Sequence, residues 1–268
     1  MSRIEGRLRE LHVAGRKALV TFITGGDPNR ATTVPALHAL VKGGADVIEV
    51  GVPFSDPEAE GPAIQRSSER ALAVGTRMTH VLAMVREFRE QDTATPVLLM
   101  GYLNSVERMG YGEFVARAAD AGVDGMILVN LPPEEARELA QLMRARALDL
   151  IFLVAPTTTP ERIALITAQA SGFIYYVALK GVTGANLLRT EGIAEQIERI
   201  RANTDLPIMI GFGIKDGASA RLVAPLADGV VVGTALVTTM ERNQQQPAQI
   251  PDSLSSQLRE IRAALDQQ

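Results

Sequence analysis

The sequence predicts an α/β protein of the single (β/α)8 TIM-barrel class, with an extra N-terminal helix and a C-terminal outer helix. Two observations support this fold class. Eight short apolar runs alternate with segments of helical period, and several runs follow the same turn, in which small residues precede an Asp. The runs are ALVTFI (18–23), DVIEV (46–50), PVLLM (96–100), GMILV (125–129), LIFLV (150–154), FIYYV (173–177), PIMIG (207–211) and GVVVG (229–233).

The repeated turn is visible in GGADVIEVG (43–51), AGVDGMILV (121–129) and LADGVVVG (226–233). A parallel sheet requires such a joint, because each crossover must bring the next strand in beside the last. A doubly wound sheet is the alternative. Eight units, without a GxGxxG loop after the first strand, favour the barrel. The length of 268 residues is typical of one barrel, so we expect a single domain over residues 1–268.

The two ends of the chain predict helices outside the eight repeats. Residues 2–12 form an amphipathic pattern with Ile4, Leu8 and Leu11 on one face. Residues 243–252 read as a polar linker. Beyond it, a final amphipathic helix is marked by apolar residues at helical spacing, namely Leu254, Leu258, Ile261 and Leu265.

Composition excludes several classes of function. The formal net charge is −4 without a basic face, so nucleic acid and anionic membranes are not expected partners. There are no cysteines, which excludes disulfides and thiolate chemistry. The three histidines, His12, His38 and His80, lie in helical-looking segments, and we expect neither a Ser-His-Asp triad nor a metal site. The charged amino terminus and the absence of a long apolar run predict a cytoplasmic protein.

Glu49 is the first candidate catalytic residue. It lies in the apolar strand DVIEV, where alternation puts Val47 and Glu49 on one face. Active sites of this fold lie at the carboxyl ends of the strands, so a glutamate near the top of a strand is expected to point into the barrel mouth. Burial there would raise its pKa and suit it to proton transfer. A surface or salt-bridged glutamate is the alternative.

The loop after that strand, GVPFSDPEAEGPAIQ (51–65), is the second candidate feature. It is long for a strand-to-helix connection and rich in proline, and long ordered loops are usually functional. Its acids are Asp56, Glu58 and Glu60. A solvated acidic loop remains the alternative, and it suits Glu58 best.

Three glycine-containing loops follow the last three strands, at Gly181–Gly184, Gly211–Gly213 and Gly233–Thr234. In a barrel, loops after the last strands and a helix N-terminus commonly form a phosphate site, because glycines allow backbone N–H groups to approach the anion. Each glycine could also be a simple turn residue. The three loops together predict phosphate binding.

These residues resemble the tryptophan synthase alpha-subunit family from about residue 20 to 240. The run IEVGVPFSDP (48–57) and the run FIYYVALKGVTGA (173–185) carry the most specific resemblance. Further matching stretches are TGGDP (24–28), GPAIQRSSERAL (61–72), LMGYLN (99–104), LPPEEA (131–136), LVAPTTTPERI (153–163), GFGI (211–214) and GVVVGTALV (229–237).

The resemblance implies retro-aldol cleavage of indole-3-glycerol phosphate to indole and glyceraldehyde 3-phosphate. It implies that Glu49 is the general acid–base and that Glu60 hydrogen-bonds the indole N–H. The remaining implied site residues hold the phosphate (Gly184, Gly213, Gly233 and Thr234) or line the pocket (Phe22, Tyr102, Ile127, Tyr175, Thr183 and Phe212). No cofactor or metal is implied on this chain.

Four positions depart from the family pattern. Glu60 stands where the family carries Asp, Asn130 where many members have Asp, Thr234 where Ser is usual, and Glu58 where an apolar residue is usual. The change at position 60 bears on the rate of the reaction more than on its type.

The resemblance also implies a partner, the pyridoxal-phosphate-dependent beta subunit of an α2β2 heterotetramer, with Asp56 in the contact loop. Two alternatives stay open. The chain could be a stand-alone lyase that releases indole, or a regulatory partner of the beta subunit with weakened chemistry of its own.

Overall fold

The computed structural model describes residues 2–178, 190–211 and 213–267. Eight strands form one closed barrel in chain order, each parallel to the next, and β8 pairs with β1. This confirms the predicted barrel, and the doubly wound alternative is wrong. The strands are β1 (Ala18–Thr24), β2 (Val47–Gly51), β3 (Val97–Gly101), β4 (Gly125–Leu128), β5 (Asp149–Val154), β6 (Ile174–Val177), β7 (Ile208–Gly211) and β8 (Gly229–Val232).

Helices surround the barrel. Among the described residues they are α1 (Arg3–Val13), α2 (Arg30–Gly43), α3 (Pro62–Ala73), α4 (Met78–Arg89), α5 (Leu103–Met109), α6 (Tyr111–Ala121), α7 (Arg137–Ala145), α8 (Pro160–Gln169), α9 (Thr190–Arg201), α10 (Gly217–Val223), α11 (Thr234–Arg242) and α12 (Ile250–Leu265), with 3-10 turns at Pro133–Glu135, Ala224–Leu226 and Pro247–Gln249. None of these helices combines the length and the apolar character needed to cross a bilayer.

The carboxyl-terminal outer helix is confirmed, but the predicted linker over 243–252 is wrong in its last three residues. Ile250 is fully buried and begins α12, which packs against α2 and α10. Pro251 lies in the first turn, where a residue without an N–H breaks no helical hydrogen bond. The polar residues before position 250 gave no sign of a helix start. The helix begins at Ile250 because this side chain packs in the core.

Helix α1 closes the amino-terminal end of the barrel. Its buried face, predicted from the spacing of Ile4, Leu8 and Leu11, packs into one cluster with inward-facing strand residues. The strand members of that cluster are Ala18, Val20, Val47, Leu98, Ile127, Ile151, Phe173, Met209 and Val231. The barrel is therefore a filled core at this end, as the fold requires.

The repeated Asp turn has a direct structural explanation. The carboxylate of each Asp accepts a hydrogen bond from the first backbone N–H groups of a neighbouring strand: Asp46 from Leu19 (2.9 Å) and Asp124 from Val97 (2.7 Å). Asp228 makes the same bond to Ile208 (2.8 Å). These bonds give the N–H groups at the start of each of these strands a hydrogen-bond acceptor.

The same carboxylates attach α1 to the barrel. Arg3 pairs with Asp124, and Arg7 pairs with Asp46 at 2.7 Å. Asp124 also pairs with Arg89 at 2.7 Å, and both side chains are nearly buried, at 5% and 10% exposure. A single Asp thus binds a strand, the end helix and a neighbouring helix.

We expect Asp124→Ala to destabilise the protein by about 3–5 kcal/mol, the usual range when one partner of a buried ion pair is removed. The variant leaves the Arg89 guanidinium buried without its carboxylate and the Val97 N–H without its acceptor. Urea unfolding followed by circular dichroism measures the change. Glu113→Ala is the matched control, because its pair with Arg117 is about half exposed and should contribute ~0.5 kcal/mol or less. Equal losses in both variants would contradict the assigned role of Asp124.

Candidate active site

Strand β2 places Glu49 inside the barrel. In the strand register Glu49 lies between Phe22 of β1 and Leu98 of β3, in the inward-facing row that also holds Val47. Its side chain is fully buried, and neither carboxyl oxygen has a hydrogen-bond partner among the described residues. Within this part of the chain Glu49 is therefore neither a surface glutamate nor part of an ion pair.

Two carboxyl groups in this region have strongly raised pKa values. Burial, with a smaller contribution from the nearby Glu60, raises the pKa of Glu49 to about 8. Burial raises the pKa of Glu60 to about 7. A carboxylate that loses its hydration without gaining donors is disfavoured, so the proton is retained. Both groups therefore hold their protons to a higher pH than an exposed glutamate does.

The loop between β2 and α3 is held against Tyr102. The Tyr102 hydroxyl accepts a hydrogen bond from the N–H of Ala59 at 3.1 Å. Its ring stacks on Phe54, with 4.9 Å between centroids and 20° between planes. The carbonyl of Glu60 accepts a further bond from the Gln65 amide at 2.9 Å. These contacts fix the backbone on both sides of the Glu60 side chain. The alternative of a solvated acidic loop therefore does not describe Glu60.

Asp56 and Glu58 differ from Glu60 in their surroundings. Both are exposed, and the Asp56 carboxylate accepts a bond only from its neighbour Ser55, at 2.6 Å, among the contacts of the described residues. The loop thus points one acid into the barrel mouth and two toward solvent. Asn130 is exposed as well, and its side-chain oxygen accepts the N–H of Leu103 at 2.8 Å, one residue from Tyr102.

Aromatic side chains share the barrel mouth with the two carboxyl groups. Burial first, and then the charges of Glu49 and Glu60, raise the pKa of Tyr175 well above its ordinary value, which places its hydroxyl near both acids. Phe22 is buried on β1, in a small cluster with Ala63 and Val237. Ile127 is buried in the barrel interior on β4.

Two glycines make room for these rings. A Cβ at Gly51 would lie 2.7 Å from the Phe22 ring, and a Cβ at Gly211 would lie 2.5 Å from the Tyr175 hydroxyl oxygen. The sequence pattern predicted no role for Gly51, and for Gly211 it predicted only a place in a phosphate loop. A glycine at an inward strand position, close to an aromatic residue of a neighbouring strand, is the sequence feature that could have predicted this role. Only the register identifies which ring each glycine faces.

The predicted phosphate residues are partly described. Gly233 caps the amino terminus of α11 without a side-chain cap, and Thr234 is the exposed first residue of that helix. Gly213 has a positive φ of 51°, a backbone conformation that favours glycine. Thr183, Gly184 and Phe212 lie outside the described residues. The start of α11 therefore has no side-chain cap among the described residues.

A cavity of about 790 Å³ lies at the opposite end of the barrel, between α1 and the starts of β1, β5 and β7. Apolar residues such as Leu8 and Met209 line it, and its rim carries the exposed Arg9 and Asp205. It contains neither of the glutamates with raised pKa values. The candidate site is therefore the one at the carboxyl end, which holds Glu49, Glu60 and Tyr175. No group of three or more potential metal ligands occurs in the described parts of the chain.

Comparison with known proteins identifies the family of this chain. The family described as tryptophan synthase alpha chain matches residues 8–266. The tryptophan synthase alpha chain of Nitrosococcus oceani is 53% identical over 266 residues, covering 99% of this chain and 98% of the relative. That of Thioalkalivibrio sulfidiphilus is also 53% identical, covering 99% and 100%.

Solved structures show the same relationship. Tryptophan synthase subunit alpha from Legionella pneumophila superposes with a TM-score of 0.93 at 44% identity and covers 100% of both chains. An aminoacrylate-bound tryptophan synthase from M. tuberculosis gives a TM-score of 0.88 at 34% identity, covering 99% of this chain and 100% of the other. The barrel, the buried glutamate and these matches lead to one conclusion: the chain belongs to the tryptophan synthase alpha chain family.

Proposed function

We propose that Glu49 is the general acid–base, and Glu60 the carboxylate that binds the indole N–H, in the lyase reaction of this family. That reaction cleaves indole-3-glycerol phosphate to indole and glyceraldehyde 3-phosphate. The observation that carries the proposal is the burial of Glu49 with both oxygens unpartnered, beside a second glutamate of raised pKa. A group with a pKa of about 8 holds a proton at rest and can also take one back.

The two carboxyl groups supply the proton movements of a retro-aldol cleavage. Protonated Glu49 gives its proton to indole C3 while the N–H proton moves toward Glu60. The Glu49 carboxylate then takes the proton of the side-chain hydroxyl, and the bond from C3 to the hydroxyl-bearing carbon breaks. The electron pair of that bond restores the indole ring, the nitrogen recovers its proton from Glu60, and the hydroxyl becomes the aldehyde.

The remaining residues bind the two ends of the substrate in this proposal. Phe22, Tyr102, Ile127 and Tyr175 form apolar and aromatic walls for the indole, together with Thr183 and Phe212. Gly213, Gly233 and Thr234 bind the phosphate, together with Gly184. The uncapped start of α11 supports the phosphate assignment, because backbone N–H groups and the helix dipole favour an anion there.

Family membership implies a beta-subunit partner. We propose an α2β2 heterotetramer in which Asp56 contacts the beta subunit and pyridoxal phosphate is bound by that partner, not by this chain. The exposure of Asp56 beside the anchored Glu60 loop supports this contact, because a partner that touches the loop would act directly on the site. A stand-alone lyase and a regulatory subunit with weak chemistry remain the alternatives.

Glu49→Gln is expected to lower the lyase kcat/KM by ~10²–10⁴-fold, since an amide of the same shape cannot carry the proton. Steady-state cleavage of indole-3-glycerol phosphate measures the effect. Activity within a few-fold of the unmodified chain would show that another group transfers the proton.

The Glu49→Gln variant also tests the pKa of Glu49, through the pH dependence of the free energy of unfolding. The folded-state pKa of about 8 lies above the ordinary value of 4.5, so the unfolded chain loses this proton first as pH rises. The free energy of unfolding should therefore fall between about pH 4.5 and 8. Glu49→Gln should flatten that slope, and an unchanged slope would mean that Glu49 titrates normally.

Glu60→Asp is expected to raise kcat/KM, and Glu60→Ala to lower it. The glutamate is one methylene longer than the family's aspartate, which moves the carboxylate by about 1 Å, and such a misplacement can change rates by ~10²-fold. Because the backbone beside Glu60 is held by Tyr102 and Gln65, the loop compensates only in part. A tenfold loss in Glu60→Asp would instead show that Glu58 and Asn130 have adapted to the longer side chain.

Added beta subunit should bind this chain at micromolar concentration and raise its lyase rate. Asp56→Ala should weaken that complex while leaving the rate of the isolated chain within about twofold, because Asp56 is exposed. Size-exclusion chromatography and titration of the lyase rate measure both effects. Glu113→Ala, in an exposed ion pair on α6, is the control for surface charge. No complex at these concentrations would favour the stand-alone lyase.

A further inference from the structure

An ion-pair network joins three elements at the carboxyl end of the barrel. The guanidinium of Arg70 on α3 makes a two-point contact with the Asp27 carboxylate, at 2.7 and 2.9 Å. Its third nitrogen donates to Glu241 at 2.9 Å, and Arg66 makes a two-point contact with the same glutamate, at 2.6 and 2.9 Å. The Asp27 carboxylate is fully buried, and the Arg70 side chain is only 17% exposed.

Each element in this network also carries a part of the proposed site. Helix α3 begins at Pro62, two residues after Glu60. Asp27 lies three residues beyond the end of β1, the strand that carries Phe22. Glu241 is in the last turn of α11 and lies seven residues, or about two helical turns, after Thr234 at the phosphate side.

The apolar contact between these elements is small. Phe22, Ala63 and Val237 form a cluster of their own, with Ile64 and Met100 packed against it. Thr24 and Ser67 add one buried hydroxyl contact of 2.6 Å between β1 and α3. Because this apolar interface is small, we infer that the polar contacts determine the position of α3. The planar guanidinium of an arginine makes two-point contacts, which fix geometry more firmly than a single point charge does.

We propose that Arg70, in the last turn of α3, is a positioning residue that through Asp27 and Glu241 holds this helix, and therefore Glu60 just before its first turn, in place relative to α11. This inference rests on the proposed role of Glu60. Because Glu60 precedes α3 by so few residues, a shift of the helix start moves its carboxylate by a similar distance. A misplacement of ~1 Å is enough to cost on the order of 10²-fold in rate.

Arg70→Met tests the inference in a double-mutant cycle with Glu60→Ala. Methionine keeps an unbranched stem and removes both charge and fork. We expect kcat/KM to fall ~10-fold or more in the chain with Glu60, and by less than about twofold in the Glu60→Ala chain, where the positioned group is absent. Equal losses in both backgrounds, or no loss in the first, would overturn the inference.

Arg89→Met is the matched control, because Arg89 is also largely buried, at 10% exposure against 17% for Arg70, and ion-paired, but lies at the other end of the barrel. It should destabilise the protein and leave kcat/KM within about twofold, at a temperature where circular dichroism shows every variant folded. Glu241→Gln is the milder variant if Arg70→Met does not fold. It retains the Arg70–Asp27 pair and should reduce kcat/KM by a few-fold, again only when Glu60 is present.

A carbon NMR titration of the Glu60 carboxyl tests the network without any substrate. If Arg70→Met releases Glu60 from its buried position, the pKa of Glu60 should fall from about 7 toward that of an exposed glutamate. Arg89→Met should leave it unchanged. A chain without lyase activity would contradict the proposed function alone, and an unshifted Glu60 titration in Arg70→Met would overturn the positioning role.

Discussion

The burial of the Glu49 carboxyl group is the constraint on which the rest of the site depends. An ionised carboxylate inside a closed barrel, without donors among the described residues, would lose its hydration and gain nothing in return. The group therefore keeps its proton to a pKa of about 8. The same burial that disfavours the charged form therefore allows this carboxyl group to keep its proton at a higher pH than an exposed glutamate does.

The residues around Glu49 share the limited space of the upper barrel. Lower in the barrel, Val20, Val47 and Leu98 fill the interior with apolar side chains. Above them, Phe22 and Tyr175 fit because Gly51 and Gly211 contribute no side chain at the same level. The interior is therefore filled by aliphatic side chains in its lower part, whereas aromatic rings and the carboxyl groups of Glu49 and Glu60 lie at the carboxyl end.

The two ends of the barrel use similar ion pairs for different purposes. At the amino-terminal end, Asp46 and Asp124 bind strand N–H groups and the arginines of α1, which closes the barrel. At the carboxyl end, the pair of Asp27 and Arg70 joins the segment after β1 to α3. The first set lies beside a packed core, and the second lies beside the candidate site, where we propose that it positions Glu60.

Periodicities within a few neighbouring residues predicted the strands, the amphipathic helix α1 and the inward position of Glu49. Family resemblance added the expected roles of Glu60 and Tyr175, which remain predictions. Thr183, Gly184 and Phe212, which the resemblance also assigns to the site, lie outside the described residues.

Only the tertiary structure decided which distant residues meet. Residues 49, 60 and 175 converge because the barrel closes in strand order, and no local pattern contains that information. The start of α12 at Ile250 and the pairing of Arg70 with Asp27 have the same origin. Both depend on what the surrounding elements bury, and burial is a property of the assembled fold, not of a segment.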